Sequence, residues 1–241
     1  MLRAIAPISP ENLPHVWRAP ELARAGVRVV ATGHASLDEQ LPGGGWPCAS
    51  LVEIVQASAG RHVWQLLLPA LAHATAQDNG PIVLVNAPHL PFGPALKAQG
   101  LSPERLLRVT ANVAQRALWA SEQALRCADV IALMAWLPRC RGADLRRLHL
   151  AAAQHDKLLF VFRGLDARNE SSPARVRLEI EEGEALRVHL LKRRGPPLVQ
   201  SIELPSHPMR LQRLLESRKR GAAPQPTKSR SHGLDRTVAV A

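Results

Sequence analysis

Apolar residues follow two rhythms along this chain. Four stretches run almost without interruption: LVEIV (51–55), PIVLVNA (81–87), DVIALMAWL (129–137) and KLLFVFRG (157–164). Aliphatic runs of this length suit strands buried on both faces, as in a parallel sheet. Between them, apolar residues recur at three- and four-residue spacing, which predicts helices over residues 63–76, 94–99, 113–127 and 144–155. A short strand is expected at 106–109, and Asp78-Asn79-Gly80 reads as a turn. Strands and helices alternating in this way imply a three-layer α/β fold with a mainly parallel sheet.

The pattern changes at both ends of this core. VRLEIEEGEALRVHLLKRRGPP shows two alternating strands around Glu182-Gly183, an antiparallel β-hairpin. Upstream, VVATGHASLDEQLPGGGWPCASLVEIV reads as a strand, a short helix, a glycine turn and another strand. Gly43, Gly44 and Gly45 precede a strand and do not join strand to helix, so they read as a structural turn and not as a phosphate cradle. Three segments result: an N-terminal arm (1–24) with four prolines around Leu13, Val16 and Trp17, a core (25–205), and a tail (206–241). The tail carries eight Lys/Arg against two acids. Its MRLQRLLESRKR string has the spacing of one short amphipathic helix, and the residues past Gly221 have the composition of disorder. The arm docks either on its own core or on a neighbouring molecule.

A formal charge of +11 and a pI near 11 point to an anionic partner, most often nucleic acid. With five Trp, three Phe and no Tyr, a base-stacking platform is not expected. Trp17, Trp46, Trp64, Trp119 and Trp136 read as core or interface anchors. Cys48, Cys127 and Cys140 are far apart and form no C-x-x-C, which argues against a disulfide framework or zinc site and fits a reducing cytoplasm. No secretory apolar segment and no membrane-spanning run is legible, so a cytoplasmic chain without membrane attachment is expected.

LVEIVQASAGRHVWQLLL (51–68) has the strand–loop–helix build of an ATP-binding P-loop, but not its chemistry. A working loop reads G-x-x-x-x-G-K-[S/T], so that backbone N–H groups wrap the phosphates, lysine pairs with them and a hydroxyl holds Mg²⁺. Here Gln56 stands for the first glycine, Gly60 remains, Arg61 replaces lysine and His62 occupies the metal position. The planar guanidinium of arginine is no substitute for a compact ammonium in a tight cradle, and imidazole is a poor ligand for Mg²⁺. The serines form no G-x-S-x-G elbow and the histidines no metal-protease spacing. No catalytic residue, cofactor or metal is expected.

The order of these elements resembles the core of the RecA recombinase over roughly residues 25–205, about three-quarters of the chain. LPGGGWPCASLVEI, GLSPERLLRV, SEQALRCADVIALM and the ARVRLEI…RVHLLKRRGPP hairpin carry that likeness. NLPHVWRAPELARAG, together with LPGGGWPCASLVEI, is most similar to the ImuA family, RecA-like (also SulA-like) accessories of bacterial translesion mutagenesis. The resemblance implies an SOS-induced role in copying damaged DNA. Its implied partners are an ImuB-like protein, an error-prone replicative-type DNA polymerase and RecA.

In RecA-type hydrolysis a Walker B aspartate holds Mg²⁺ and a glutamate orients the attacking water. The resemblance puts the first at Met134 and the second at Pro88. With all three elements replaced, the chain is expected to be a pseudo-ATPase. The resemblance also marks two DNA-facing loops. PRCRGADLRR (138–147) carries Arg139, Arg141, Arg146 and Arg147, whereas 163–175 mixes Arg163, Arg168 and Arg175 with Asp166 and Glu170. Weak, sequence-independent DNA binding would follow. Lys192, Arg193 and Arg194 match the hairpin lysines that reach a neighbouring RecA subunit; they contact RecA in trans or only keep the hairpin soluble. Arg213, Arg218, Lys219 and Arg220 of the tail serve either a partner groove or a nonspecific DNA tether. A SulA-type inhibitor of the division GTPase polymer shares this scaffold and is the competing reading.

Overall fold

The computed structural model describes residues 28–58, 62–89, 91–181, 183 and 185–205. The N-terminal arm, Gly60, Arg61 and the tail, with Arg213, Arg218, Lys219 and Arg220, lie outside the described residues. The core is α/β, as the sequence pattern requires. Its elements are β1 (Val29–Val30), α1 (Ala35–Asp38), β2 (Trp46–Pro47), β3 (Ser50–Gln56), α2 (Val63–Gln77), β4 (Ile82–Val85), α3 (Gly93–Ala98) and β5 (Leu106–Val109). Then follow α4 (Ala114–Arg126), β6 (Ala132–Trp136), α5 (Gly142–His155), β7 (Leu158–Arg163), β8 (Val176–Glu181), β9 (Leu186–Lys192) and β10 (Ile202–Leu204).

Eight strands form one sheet in the order β10-β9-β8-β3-β7-β6-β4-β5. The six from β8 to β5 are mutually parallel, and β9 and β10 add antiparallel at one edge. The continuous apolar runs are the buried strands: every residue of β3, β4, β6 and β7 is buried. Helix α2 covers one face through Leu66, Leu67, Ala70 and Leu71, whose core includes Trp46 and Phe160. The opposite core holds Ala117 and Leu125 of α4 with Leu145, Leu148 and Ala152 of α5. Trp46 meets Phe160 edge-on at 5.5 Å between ring centroids. Trp119, by contrast, is 64% exposed on α4, so it is no core anchor.

The glycine turn closes a small antiparallel ladder, Val29 opposite Pro47 and Val30 opposite Trp46. Gly43 and Gly44 have φ of +87° and +78°, and a Cβ on Gly45 would come within 2.4 Å of the Val30 carbonyl oxygen. These positions need glycine for backbone reasons, which accounts for the triplet without a phosphate.

Helix α2 contains Pro69. Proline has no N–H, so the Gln65 carbonyl one turn earlier loses its helical partner. The His34 ring Nε2 lies 3.2 Å from that carbonyl and donates to it. Beside it, Gly33 leaves room for the proline ring, since a Cβ there would stand 2.3 Å from Pro69 Cβ. Gly33, His34 and Pro69 form one device that fixes α2 against the α1 segment. Asp156, with φ +50°, caps α5 and receives Arg28 at 2.7 Å.

Candidate functional site

The corner where a P-loop would cradle phosphate lies between the end of β3 and the start of α2. Gln56 is buried as the last residue of β3, and His62 is the residue that precedes α2. The His62 ring is engaged within the chain. Its Nδ1 is 3.3 Å from Gln65 Oε1 and its Nε2 is 3.2 Å from the carbonyl of Gly183, in the β8–β9 turn. Gln65 Nε2 donates in turn to the Pro205 carbonyl at 2.7 Å. Side chains from the first turn of α2 are thus spent on the hairpin and on the strand that follows it.

Met134, at the implied Walker B position, is fully buried in β6, with Leu84 and Phe160 as its register partners. A thioether in this apolar layer offers Mg²⁺ no oxygen. Pro88 is exposed on the loop after β4. It lines a cleft of about 390 Å³ at the C-terminal ends of β3, β4, β6 and β7, with Gln56, Asn86, Trp136, Phe162 and Arg163. This is where open α/β sheets ordinarily bind ligands. Trp136 and Phe162 stack in its wall, with centroids 4.3 Å apart and planes at 16°. Asn86 spends its amide on Ala111: Oδ1 accepts the Ala111 N–H at 2.8 Å, and Nδ2 donates to the Ala111 carbonyl at 3.1 Å. None of the lining residues is a carboxylate, histidine or lysine.

Arg163 was expected in a DNA-facing loop, and the structure corrects this: its side chain is 3% exposed. It reaches Glu53 at 3.4 Å and Glu170 at 2.9 Å. Arg177, on the other side of β3, holds Glu53 at 2.9 Å and donates to the carbonyls of Ala167 and Glu170 at 2.8 and 2.9 Å. Glu53 lies opposite Val161 on β7 and Arg177 on β8, so one buried carboxylate binds two flanking strands and the loop between them. Sequence reasoning missed Glu53 and Arg177. The available signal was Glu53 inside the apolar string LVEIV, with Arg163 closing LLFVFR and Arg177 inside VRLEI. Cys140 packs near this network; burial first, with Asp144 next, pushes its thiol up to about 12, and burial raises Cys48 to about 11. Neither is a nucleophile at neutral pH.

The basic clusters do not behave as their sequence grouping suggests. Arg139, Arg141, Arg146 and Arg147 are all exposed. Successive residues of a helix differ by about 100°, so Arg146 and Arg147 leave α5 in different directions. Arg147 turns toward α4 and pairs with Glu122 at 2.6 Å. Arg168 is engaged by Glu179 at 3.0 Å. Lys192 donates to the Ser172 carbonyl at 2.8 Å. Arg193 is tied down within the chain, to the Gln40 carbonyl and Oε1 and to the Pro196 carbonyl. It clamps the exit of β9 to the end of α1, whereas Lys192 and Arg194 are exposed.

Fold and site together describe an α/β chain with a mainly parallel sheet, in which side chains at the corner between β3 and α2 are engaged by the chain's own hairpin. No protein-family model matches it. Over 106 residues it is 28% identical to the cell division inhibitor SulA of Edwardsiella piscicida. The match covers 44% of this chain and spans 63% of that relative's length. Among the described residues no helix is long and apolar enough to cross a membrane.

Proposed function

We propose that this chain is a non-catalytic, RecA-like accessory of the SOS response, working in translesion DNA synthesis. It acts as an adaptor among an ImuB-like protein, an error-prone replicative-type DNA polymerase and RecA. The observation that carries the non-catalytic part is the contact of His62 with the Gly183 carbonyl at 3.2 Å. A phosphate at the start of α2 would compete with the hairpin for that corner, and Met134 and Pro88 supply neither metal ligand nor base. Phosphoryl transfer is almost wholly positioning and charge stabilisation, so a site without these groups has no route to it. The partial likeness to SulA supports a place in the SOS response.

That likeness also favours one specific second reading, an inhibitor of cell division acting on the division GTPase polymer. The string NLPHVWRAPELARAG and the basic tail favour the translesion role. A pull-down with RecA, the ImuB-like protein, the polymerase and the division GTPase, each with and without ATP and single-stranded DNA, separates the two. Capture that depends on the state of RecA, and not on ATP bound by this chain, is expected. Capture of the division GTPase with none of the three would overturn the adaptor reading.

A further inference from the structure

Helix α4 turns Ala117, Ser121 and Leu125 onto the sheet. Trp119, two residues beyond Ala117, is rotated about 200° around the axis and faces away from the core. It is 64% exposed, and Leu150 of the neighbouring helix α5 is 60% exposed. An ion pair fixes how these two lie. Glu122, one turn after Trp119, meets Arg147 at 2.6 Å, and Leu150 stands one turn after Arg147. The indole and the leucine side chain thus flank one bridge between two helices, on the outer side of their layer.

The charges around this apolar pair are uneven. Arg116 lies one turn before Trp119, exposed and with no carboxylate partner among the described residues. Arg126 and Arg147 both reach the carboxylate of Glu122 at 2.6 Å, and each is more than half exposed. Glu122 is recessed, so it neutralises one of two guanidinium groups while both keep N–H groups toward solvent. Asp144, one turn before Arg147, is the other acid of this face and is half-buried. The outermost charges are therefore all arginines. One exposed apolar side chain is ordinary on a protein surface. An indole set among arginines is different, because Trp and Arg dominate binding hot spots.

We propose that the outer face of α4 and α5, centred on Trp119, docks an acidic segment of a partner protein that carries an apolar side chain between its carboxylates. The apolar side chain packs on the indole toward Leu150. The carboxylates pair with Arg116 on one side and with Arg126 and Arg147 on the other, since a guanidinium presents paired donors that suit a carboxylate. Two of these arginines are already held by Glu122, so less side-chain freedom is lost on binding. Charge selects against the chain's own segments as occupants. A second copy brings the same arginines to the contact, and the tail carries eight Lys/Arg against two acids. Trp119 and Arg116 lie outside both loops that the resemblance marks for DNA. This goes beyond the adaptor reading and stands apart from it: the pull-down can fail while this face binds, and the reverse.

The test is fluorescence anisotropy of the full chain with a labelled copolymer of glutamate and tyrosine, at low and at physiological salt. Labelled polyglutamate is the control without an apolar side chain. Trp119→Ala should weaken copolymer binding about tenfold or more at both salts and leave polyglutamate unchanged, because the indole supplies contact and not charge. Trp119→Phe should retain most of the affinity. Arg116→Glu/Arg126→Glu should weaken binding of both polymers, most at low salt, where charges are least screened. Lys97→Glu/Arg194→Glu makes the same change in net charge elsewhere on the surface and should weaken the copolymer less. A Trp119→Ala variant with the parent's affinity for the copolymer would overturn the surface. Equal losses from the two double variants would do the same, since binding would then follow overall charge. So would Trp119-dependent binding of labelled single-stranded DNA in place of the copolymer, which would make this face a nucleic-acid contact.

Discussion

Two sets of arginines in this molecule share one chemistry and do opposite things. Arg163 and Arg177 are buried in the sheet, with Glu53 between them and the backbone carbonyls of Ala167 and Glu170 taking further N–H groups. Arg146 and Arg175 are exposed, and no carboxylate among the described residues pairs with them. A guanidinium inside a protein must have partners within the protein, because desolvation costs several kcal/mol. Outside, water solvates it, and the charge stays available to a ligand. Arginine content alone therefore says nothing about binding; the environment of each side chain does.

The largest expected effect follows from removing the shared partner of the buried pair. Glu53→Ala leaves the buried Arg177 without a carboxylate and Arg163 with Glu170 alone, and should cost about 3–5 kcal/mol of stability. Urea unfolding followed by circular dichroism measures it; a loss under about 1 kcal/mol would mean that water reaches the pair and the contrast with the surface set is false. A charge placed in the sheet without partners should behave likewise. Met134→Asp, which restores an acid at the implied Walker B position, should destabilise by about 3 kcal/mol or more. It should not confer ATP hydrolysis, measured as phosphate release, because the cradle and the water-orienting glutamate remain absent.

Most of the fold was legible because burial on two faces leaves a direct imprint on sequence. The apolar runs became β3, β4, β6 and β7, and the expected strand at 106–109 matches β5. Helix α5 starts at Gly142, two residues earlier than its apolar spacing indicated, beside Ser171. Strand β10 escaped because Ile202–Leu204 is three residues long and gains its identity from pairing with β9. The candidate site was legible only where it depended on a motif. Gln56, His62, Met134 and Pro88 were singled out by their place in the motif, but the His62–Gly183 contact joins residues 121 apart. Arg163 was misplaced for the same reason: its partner Glu53 is 110 residues away and interrupts an apolar run that otherwise reads as a plain strand.

Two histidines extend the comparison to groups that avoid charge. Burial lowers the pKa of His34 and of His149 from 6.5, the latter further through Arg175 and Lys192. Both are neutral in the fold at pH 7, His34 donating to the Gln65 carbonyl and His149 accepting from Leu51. As pH falls below 6.5, the unfolded chain takes up protons that the folded chain resists, so stability is full above that pH and declines beneath it. His34→Gln and His149→Gln should each flatten the acid limb of a stability–pH curve. An unchanged limb in both variants would place the acid sensitivity elsewhere.

The smallest effect belongs to the surface. Glu122 is 14% exposed and holds Arg126 and Arg147 at 2.6 Å each, yet both arginines are more than half exposed. Water already solvates most of each guanidinium, so Glu122→Ala should cost about 1 kcal/mol or less. Its value lies in what it does to charge. The substitution frees Arg147 and raises the net charge by one without touching Arg139, Arg141 or Arg146. If nucleic acid follows overall charge, affinity rises and the salt slope steepens. If it follows a fixed set of contacts that excludes Arg147, affinity at low salt rises slightly through longer-range attraction, but the slope stays where it was, because the number of phosphates in contact is unchanged.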